Sequence, residues 1–188
     1  MAEVETKAEQ IAKRKKKRDR VAAANKITFN LETGVRKTIQ KQAREAGMNV
    51  GPFIQKLVEA HVIGTATTGG PLAARLTAKR AVLDHAINLA RKIDDDGGFD
   101  EHFILTVMRS AAQDPDFKAQ YDAALGGSDG TPKRSARVAL NQQLGRLIKR
   151  AAGARSKRDA AGKIMRGQAQ GEVLSSYTLL DKATQADS

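Results

Sequence analysis

The fold is decided by residues 26–62, which read KITFNLETGVRKTIQKQAREAGMNVGPFIQKLVEAHV. Apolar and polar side chains alternate over the first six residues of this stretch. The apolar positions are Ile27, Phe29 and Leu31, and the polar positions are Lys26, Thr28 and Asn30. A period of two residues predicts a β-strand with one buried face. A single strand has an unpaired edge and too little core to be stable alone, so we expect it to pair with the same strand of a second copy.

The spacing of the apolar residues becomes helical after this strand. They recur three or four positions apart from Val35 to Ala46, and Gly47 supplies a left-handed stop for this first helix. Asn49 is suited to cap a second helix, whose apolar stripe runs on to His61. The stretch therefore predicts one strand followed by two amphipathic helices.

The order and spacing of these elements resemble the ribbon-helix-helix family of DNA-binding dimers, across residues 26–62. The resemblance implies that strands from two subunits form an antiparallel ribbon that enters the major groove. Lys26, Thr28 and Asn30 would then contact base edges. A two-stranded ribbon fits that groove, where each base pair presents a distinct pattern of donors and acceptors. We therefore expect a homodimer that reads double-stranded DNA by sequence.

The resemblance also places a backbone phosphate at the N-terminus of the second helix, beside Asn49 and the amides of Val50 and Gly51. A helix N-terminus offers free amides and a partial positive charge to an anion. The chain departs from the family at Glu32, where proline is frequent, and at Gly34, which weakens the start of the first helix. The alternative is a strand-helix-helix fragment of a larger α/β domain, which predicts further strands that the following residues do not convincingly contain.

Charge is unevenly distributed along the chain, which has 188 residues, a net charge of +12 and a pI of about 10.1. Residues 13–20 hold seven basic side chains out of eight, and residues 133–166 hold eleven against the single acid Asp159. Residues 71–132, between them, carry ten acids and seven bases. A uniform solvated surface would not sort its charges in this way, and the two basic regions indicate a polyanionic partner such as nucleic acid.

The residues before the strand, 1–25, are polar and charged, and we expect them to form a disordered basic arm. The cations of this arm precede the predicted groove-reading strand, so we predict that they contact DNA phosphates and add a salt-dependent term to the affinity. They are Lys13, Arg14, Lys15, Lys16, Lys17, Arg18 and Arg20. The alternatives are a solvated charge run and a look-alike of a nuclear-localisation signal.

A linker at 63–70, rich in Gly and Thr, is predicted to separate the ribbon-helix-helix unit from a helical C-terminal domain at 71–188. A strongly basic helix of that domain follows the loop at 126–132 and has Val138, Leu140 and Leu144 on its predicted core side. Four cations lie largely off that side and form a candidate second nucleic-acid surface, with a solvated helix face as the alternative. They are Arg137, Arg146, Lys149 and Arg150.

The end of the chain leaves two alternatives open. Residues 163–166 form either a short strand or the end of a helix, and residues 174–180 either pair with them as a hairpin or stay a lone extended segment. The predicted fold class is therefore mainly α. It consists of an N-terminal ribbon-helix-helix dimer unit and a helical C-terminal domain, which carries a small terminal hairpin in the first alternative.

Composition argues against several other functions. The chain has no cysteine, and its three histidines lack metal-ligand spacing, so no metal site or cofactor is predicted. Asp94–Asp96 superficially resembles a calcium loop, but Gly98 stands where a ligand is needed. No catalytic motif is present, and Tyr177 lacks neighbouring His or Arg residues in the sequence, so we expect a packing tyrosine and no enzyme. No apolar run is long enough for a membrane span, and no signal-peptide core follows the basic start, so a cytoplasmic location is expected.

Two classes of function remain for a DNA-binding dimer of this kind. One is an accessory protein of plasmid or conjugative-element DNA transfer, of the relaxosome type, to which the chain is loosely similar. Its ribbon would locate an origin-of-transfer site, while the C-terminal domain engages a relaxase, a coupling protein or more DNA. The other is a transcriptional repressor or antitoxin-like autoregulator. We favour the accessory role, because small repressors usually need only a short additional tail.

Overall fold

Six helices and four short strands form the described part of the chain, residues 27–66, 70–126 and 134–182 of a computed structural model. The helices are α1 (Thr33–Glu45), α2 (Val50–Thr65), α3 (Pro71–Asp95), α4 (Phe103–Ala111), α5 (Pro115–Ala124) and α6 (Arg134–Ala151). The strands are β1 (Ala154–Ser156), β2 (Arg166–Gln168), β3 (Ser176–Thr178) and β4 (Leu180–Lys182). The described residues are thus mainly helical, which confirms the predicted fold class at this level.

The chain divides into two compact units, Met1–Val50 and Gly51–Ser188, and the division falls at the start of α2. Two contacts between α2 and α3 explain why α2 is grouped with the C-terminal residues. The Nζ atom of Lys79 lies 2.8 Å from Oε1 of Glu59, and the guanidinium of Arg80 donates to the carbonyl of Lys56 at 3.1 Å. The sequence instead places α2 in one unit with the predicted ribbon strand. That arrangement would depend on a second copy of the chain, so it stays a prediction.

The linker between α2 and α3 is shorter than the predicted 63–70. α2 continues to Thr65, so residues 63–65 are helical and this part of the prediction is wrong. The Thr65 hydroxyl donates to the carbonyl of His61 at 2.8 Å, so the helix end accommodates this polar side chain. Gly64 disfavours the helix by only about 1 kcal/mol relative to alanine, a penalty that tertiary packing readily overrides.

The ends of the C-terminal helices follow local sequence signals. α3 ends at a left-handed Gly97, whose amide donates to the carbonyl of Asp94, while the amide of Gly98 donates to the carbonyl of Ile93. These two bonds form a Schellman motif, so the acidic run Asp94–Asp96 acts as a helix end. At the start of α5 the carboxylate of Asp114 accepts the amide two residues on at 2.8 Å, as an N-cap does.

The core of the C-terminal unit is built from four helices and the last strands. The buried positions of α3 in this core are alanines and one valine, which let the other elements approach it closely, whereas α4, α6 and β4 contribute mostly larger side chains. The small residues are Ala78, Val82, Ala86 and Ala90. The largest fully buried side chains beyond α3 are Phe103, Val107, Met108, Leu144, Ile148 and Leu180. Leu140 and Leu144 of α6 are buried as predicted, but Val138 is 48% exposed, so its predicted place in the core is wrong.

Two small antiparallel pairs follow α6. β1 pairs with β4, with Arg155 opposite Asp181, and β2 pairs with β3, with Gly167 opposite Tyr177. A further antiparallel bridge joins Arg158 to Ile164. The segment around residue 166 is therefore a strand, and it pairs with the stretch around residue 177. This pairing settles the alternatives that the sequence left open in favour of a terminal hairpin-like sheet.

Candidate nucleic-acid interface

The segment before α1 exposes both of its alternating faces. Lys26 lies outside the described residues, and Thr28 and Asn30 are exposed. Ile27 and Phe29, on the other face of the predicted strand, are 82% and 54% exposed. Residues 27–31 of the single chain form no strand, and their predicted partner is the same segment of a second copy. The two described residues that are predicted to contact bases, Thr28 and Asn30, are therefore accessible, and the pairing of their segment stays a prediction.

The turn between α1 and α2 has the geometry that the glycine predicts. Gly47 adopts a φ of 62°, its amide donates to the carbonyl of Arg44, and the amide of Met48 donates to the carbonyl of Ala43. These bonds form a Schellman motif, which confirms the predicted left-handed stop. The turn brings the chain directly to Asn49, which is exposed.

The start of α2 has the properties that an anion requires. The helix begins at Val50, so the amides of Val50 and Gly51 belong to a first turn in which no intrahelical carbonyl is available to accept them. That turn contains no acidic residue that would repel a phosphate. Gly51 and Pro52 are exposed, and Pro52 lies in the first turn as predicted. The arm cations from Lys13 to Arg20 lie outside the described residues.

The four cations predicted as a second surface on α6 do not share one face. Arg137, Arg146 and Arg150 are exposed and Lys149 is half-buried. Arg137 and Arg146 are nine residues apart, which places them on opposite sides of a helix that turns about 100° per residue. Arg146 and Lys149 are three residues apart and are neighbours on one side. Arg150 is four residues from Arg146 and also adjoins it, so the predicted surface is corrected to Arg146, Lys149 and Arg150, with Arg137 elsewhere.

Arg146 and Lys149 line a groove of about 280 Å³ between α6 and the β2–β3 pair. A third cation, Arg166 of β2, reaches the same groove from the opposite element. Gln142, Ser176 and Thr178 supply neutral polar groups along its walls. None of the described residues that line the groove is acidic. The groove is therefore a concentration of positive charge that the helix alone does not create.

Hydrogen bonds fix α6 against the segment that enters β3. The side chain of Asn141 accepts the hydroxyl of Tyr121 at 2.6 Å and donates to the carbonyl of Val173 at 3.0 Å. Burial raises the pKa of Tyr121, so this hydroxyl stays protonated and keeps donating well into alkaline conditions. Lys149 donates to the hydroxyl of Ser156 at 3.1 Å. The helical wall of the groove is thus held in place by its own side chains.

The strand wall is held by a second set of contacts. The hydroxyl of Tyr177 lies 2.9 Å from Nδ1 of His102, and the Tyr177 ring packs across Gly167. The loop that carries His102 is joined to the chain after β1 by Lys157, whose Nζ atom lies 2.5 Å from Oε2 of Glu101. This hydrogen bond lowers the pKa of Glu101 and raises the pKa of Lys157. Tyr177 is buried, which agrees with the packing role expected from the sequence.

Sequence reasoning missed Arg166, Ser176 and Thr178 as members of this surface. The register pairs Arg166 with Thr178, so their side chains lie on one face of the β2–β3 pair. Ser176 precedes Thr178 by two residues and therefore lies on the same face. In both strands polar residues flank a non-polar or aromatic one, Gly167 in β2 and Tyr177 in β3. This alternation could have predicted a strand pair with one polar face. The proximity of this face to α6 had no local signal.

Within the described ranges, no group of three or more His, Cys, Asp or Glu side chains could hold a metal ion. None of the helices in those ranges combines the length and the apolar character that a membrane crossing requires. Comparisons with known proteins returned no matching family model, no similar curated protein and no similar solved structure.

Proposed function

We propose that this chain is a sequence-specific, double-stranded-DNA-binding homodimer of the ribbon-helix-helix type, and that it acts as an accessory protein in DNA transfer. The observation that carries the proposal is the exposure of Ile27 and Phe29, at 82% and 54%, on a segment whose other face is polar. These two exposed apolar side chains alternate with polar ones and come directly before two helices that are joined by a tight glycine turn. This arrangement suits a strand that pairs with the same strand of a second chain.

The energetics of association support a dimer that uses more than the ribbon. Burying an Ile or Phe side chain contributes about 1.5–3 kcal/mol, so four of them in a dimer contribute roughly 6–12 kcal/mol. Association itself costs about 4–15 kcal/mol, so further apolar contacts are needed for a stable complex. Val35 of α1 is 44% exposed, and Leu57 and Val58 of α2 are 45% and 58% exposed, which leaves apolar area for that purpose on each helix.

Sedimentation of the full-length chain tests the dimer. The wild type should sediment as a dimer at micromolar concentration, and Phe29→Asp should shift it toward monomer because a charge cannot be buried unpaired in the ribbon core. Ile164→Asp is the matched control, since Ile164 is also an exposed apolar residue, at 41%, but lies in the other unit. A wild-type chain that is folded and monomeric at micromolar concentration contradicts the proposal.

DNA selection followed by binding measurements tests the reading of sequence. Thr28→Ala and Asn30→Ala should each narrow the difference between the selected site and random duplex by about 1–3 kcal/mol, the value of one base contact. Asn49→Ala is the contrasting variant, because loss of a phosphate contact weakens binding to all sequences alike. Equal losses on specific and random DNA for all three variants would refute this division of roles.

The accessory role is favoured over a repressor or antitoxin-like autoregulator by the second unit, which has its own buried core and a basic groove. A small repressor that only blocks a promoter has no need of either. Capture experiments with a relaxase or coupling protein encoded beside the gene separate the two functions. Recovery of that protein supports the accessory role, whereas repression of the chain's own promoter without such recovery supports the alternative.

A further inference from the structure

We propose that the groove between α6 and the β2–β3 pair binds the phosphodiester backbone of DNA, which makes the C-terminal unit a second DNA-binding site. The cations that carry it come from two elements, Arg146 and Lys149 from α6 and Arg166 from β2. The proposal rests on the proposed function only for the identity of the ligand, because none of these residues belongs to the predicted ribbon.

The donors along the groove match those that proteins use on phosphate oxygens. Arginine offers a planar fork of donors that binds a phosphate through two bonds, and here one arginine stands on each wall. Lys149 uses one of its three ammonium protons on Ser156, at 3.1 Å, which leaves two for an anion and fixes where they point. Gln142, Ser176 and Thr178 add the neutral side-chain donors that commonly accompany phosphate contacts.

The polar lining of the groove favours a segment of a polymer over a free small molecule. Pockets that enclose small molecules measure about 300–1,000 Å³ and are mostly apolar. This groove measures about 280 Å³ and is lined largely by polar residues. Such a polar lining suits a short segment of a phosphodiester chain, whose oxygens accept hydrogen bonds along its length.

The wider charge distribution favours nucleic acid over an acidic peptide. Residues 133–166, which supply α6, β1 and the first residue of β2, contain eleven basic residues and one acid. An acidic peptide needs only a few cations close to its carboxylates. A DNA strand carries a negative charge at every nucleotide, so its affinity increases with the length of the basic surface. An acidic partner protein is the competing occupant and is separated from DNA below.

Two charge-matched triple variants of the full-length protein test the groove. Arg146→Gln, Lys149→Gln and Arg166→Gln remove the groove cations, whereas Arg91→Gln, Lys92→Gln and Lys118→Gln remove three exposed cations that do not line it. The probe is a short duplex of random sequence, measured by fluorescence anisotropy between 50 and 200 mM salt. Each phosphate contact contributes about 0.9 to the slope of log affinity against log salt, so the groove variant should lose about 2–3 and the control less than about 1. Equal slopes for the two variants overturn the proposal.

A cross-linking experiment gives a position-specific result. The chain has no cysteine, so Thr178→Cys in the groove and Lys118→Cys outside it can each be labelled at one place with a photoactivatable maleimide. DNA should be cross-linked from residue 178 and not from residue 118. Equal cross-linking at both positions, or none at 178, overturns the proposal. So does a groove variant that keeps DNA binding but loses polyglutamate, because that result assigns the groove to an acidic protein.

The outcomes separate this proposal from the ribbon. If only the ribbon proposal fails, Thr28→Ala and Asn30→Ala leave the sequence preference unchanged while the cross-link at residue 178 remains. If only the groove proposal fails, those two variants still alter the sequence preference, and no cross-link forms at residue 178. Circular dichroism of each variant shows that lost binding does not reflect lost folding.

Discussion

Replacing Gly167 by alanine should break the strand wall of the groove, because the Tyr177 ring occupies the space that the new methyl group needs. A Cβ atom at this position would lie against Cζ of Tyr177, 2.6 Å from its hydroxyl oxygen and 2.8 Å from Cε2. The Tyr177 ring is buried and its hydroxyl lies 2.9 Å from Nδ1 of His102, so the ring cannot turn aside without losing these contacts. Gly167 does not adopt a positive φ, so the backbone itself would tolerate alanine.

The expected cost follows from two opposing effects. Forcing an additional methyl group into a packed site destabilises by about 1–3 kcal/mol. Replacing glycine by alanine where the backbone allows it stabilises by about 0.4–1 kcal/mol through the unfolded chain. Tyr177→Val removes the ring, because valine has none of the three contacting atoms. In that background only the stabilising effect of alanine on the unfolded chain remains. Gly167→Ala should therefore destabilise the wild type and stabilise the Tyr177→Val protein.

Urea denaturation monitored by far-ultraviolet circular dichroism measures this cycle, with all four proteins at one concentration. The coupling free energy should be about 1 kcal/mol or more, since it contains the whole packing cost. Gly51→Ala is a further control, because no atom lies within 4 Å of a Cβ atom there. A change of the same sign and size at Gly167 in both backgrounds would show that the ring does not exclude the methyl group.

Three further results are expected. Leu144→Ala should lower the free energy of unfolding by about 2–5 kcal/mol in urea denaturation, because the side chain is fully buried, whereas Val138→Ala should change it by less than about 0.5 kcal/mol. The stabilisation from Glu101 should be present above its ordinary pKa and disappear as pH falls through its lowered pKa. Lys157→Met should return the pKa of Glu101 toward its ordinary value in an NMR titration, and an unchanged pKa would exclude the hydrogen bond as the cause. Deleting residues 1–20 should flatten the dependence of log affinity on log salt without changing the preferred DNA site, and a changed preference would assign base contacts to the arm.

Local signals predicted the helices well. Gly47 acts as a helix stop as expected, because its hydrogen bonds join residues only a few positions apart. α6 begins soon after the predicted loop and buries Leu140 and Leu144. Such elements could be predicted because the hydrogen bonds that begin and end them join residues within one or two helical turns of each other.

The groove could not be predicted in the same way. α6 supplies Arg146, and Arg166 arrives through a strand whose partner, β3, lies beyond a further loop. Residue type alone grouped Val138 with the core and Arg137 with Arg146. Helical spacing already separates Val138 from Leu140, and Arg137 from Arg146, by about half a turn, so both errors were avoidable from the sequence. The approach of β2 and β3 to α6 was not, because it depends on residues far along the chain. The proposed dimeric ribbon is a different case, since its pairing would depend on a second chain.

The position of β4 makes completion of the C-terminal unit depend on the order of synthesis. Leu180 is buried, its amide donates to the carbonyl of Glu101 at 3.0 Å, and Lys182 binds Asp94 at a separation of 88 residues. At a synthesis rate of about 5–20 residues per second, roughly 4–18 seconds pass between the emergence of Asp94 and that of Lys182. Throughout that interval the nascent core lacks its last strand and presents apolar surface. Completion of this core therefore waits for Leu180, and the apolar surface that Leu180 covers is prone to aggregation until then.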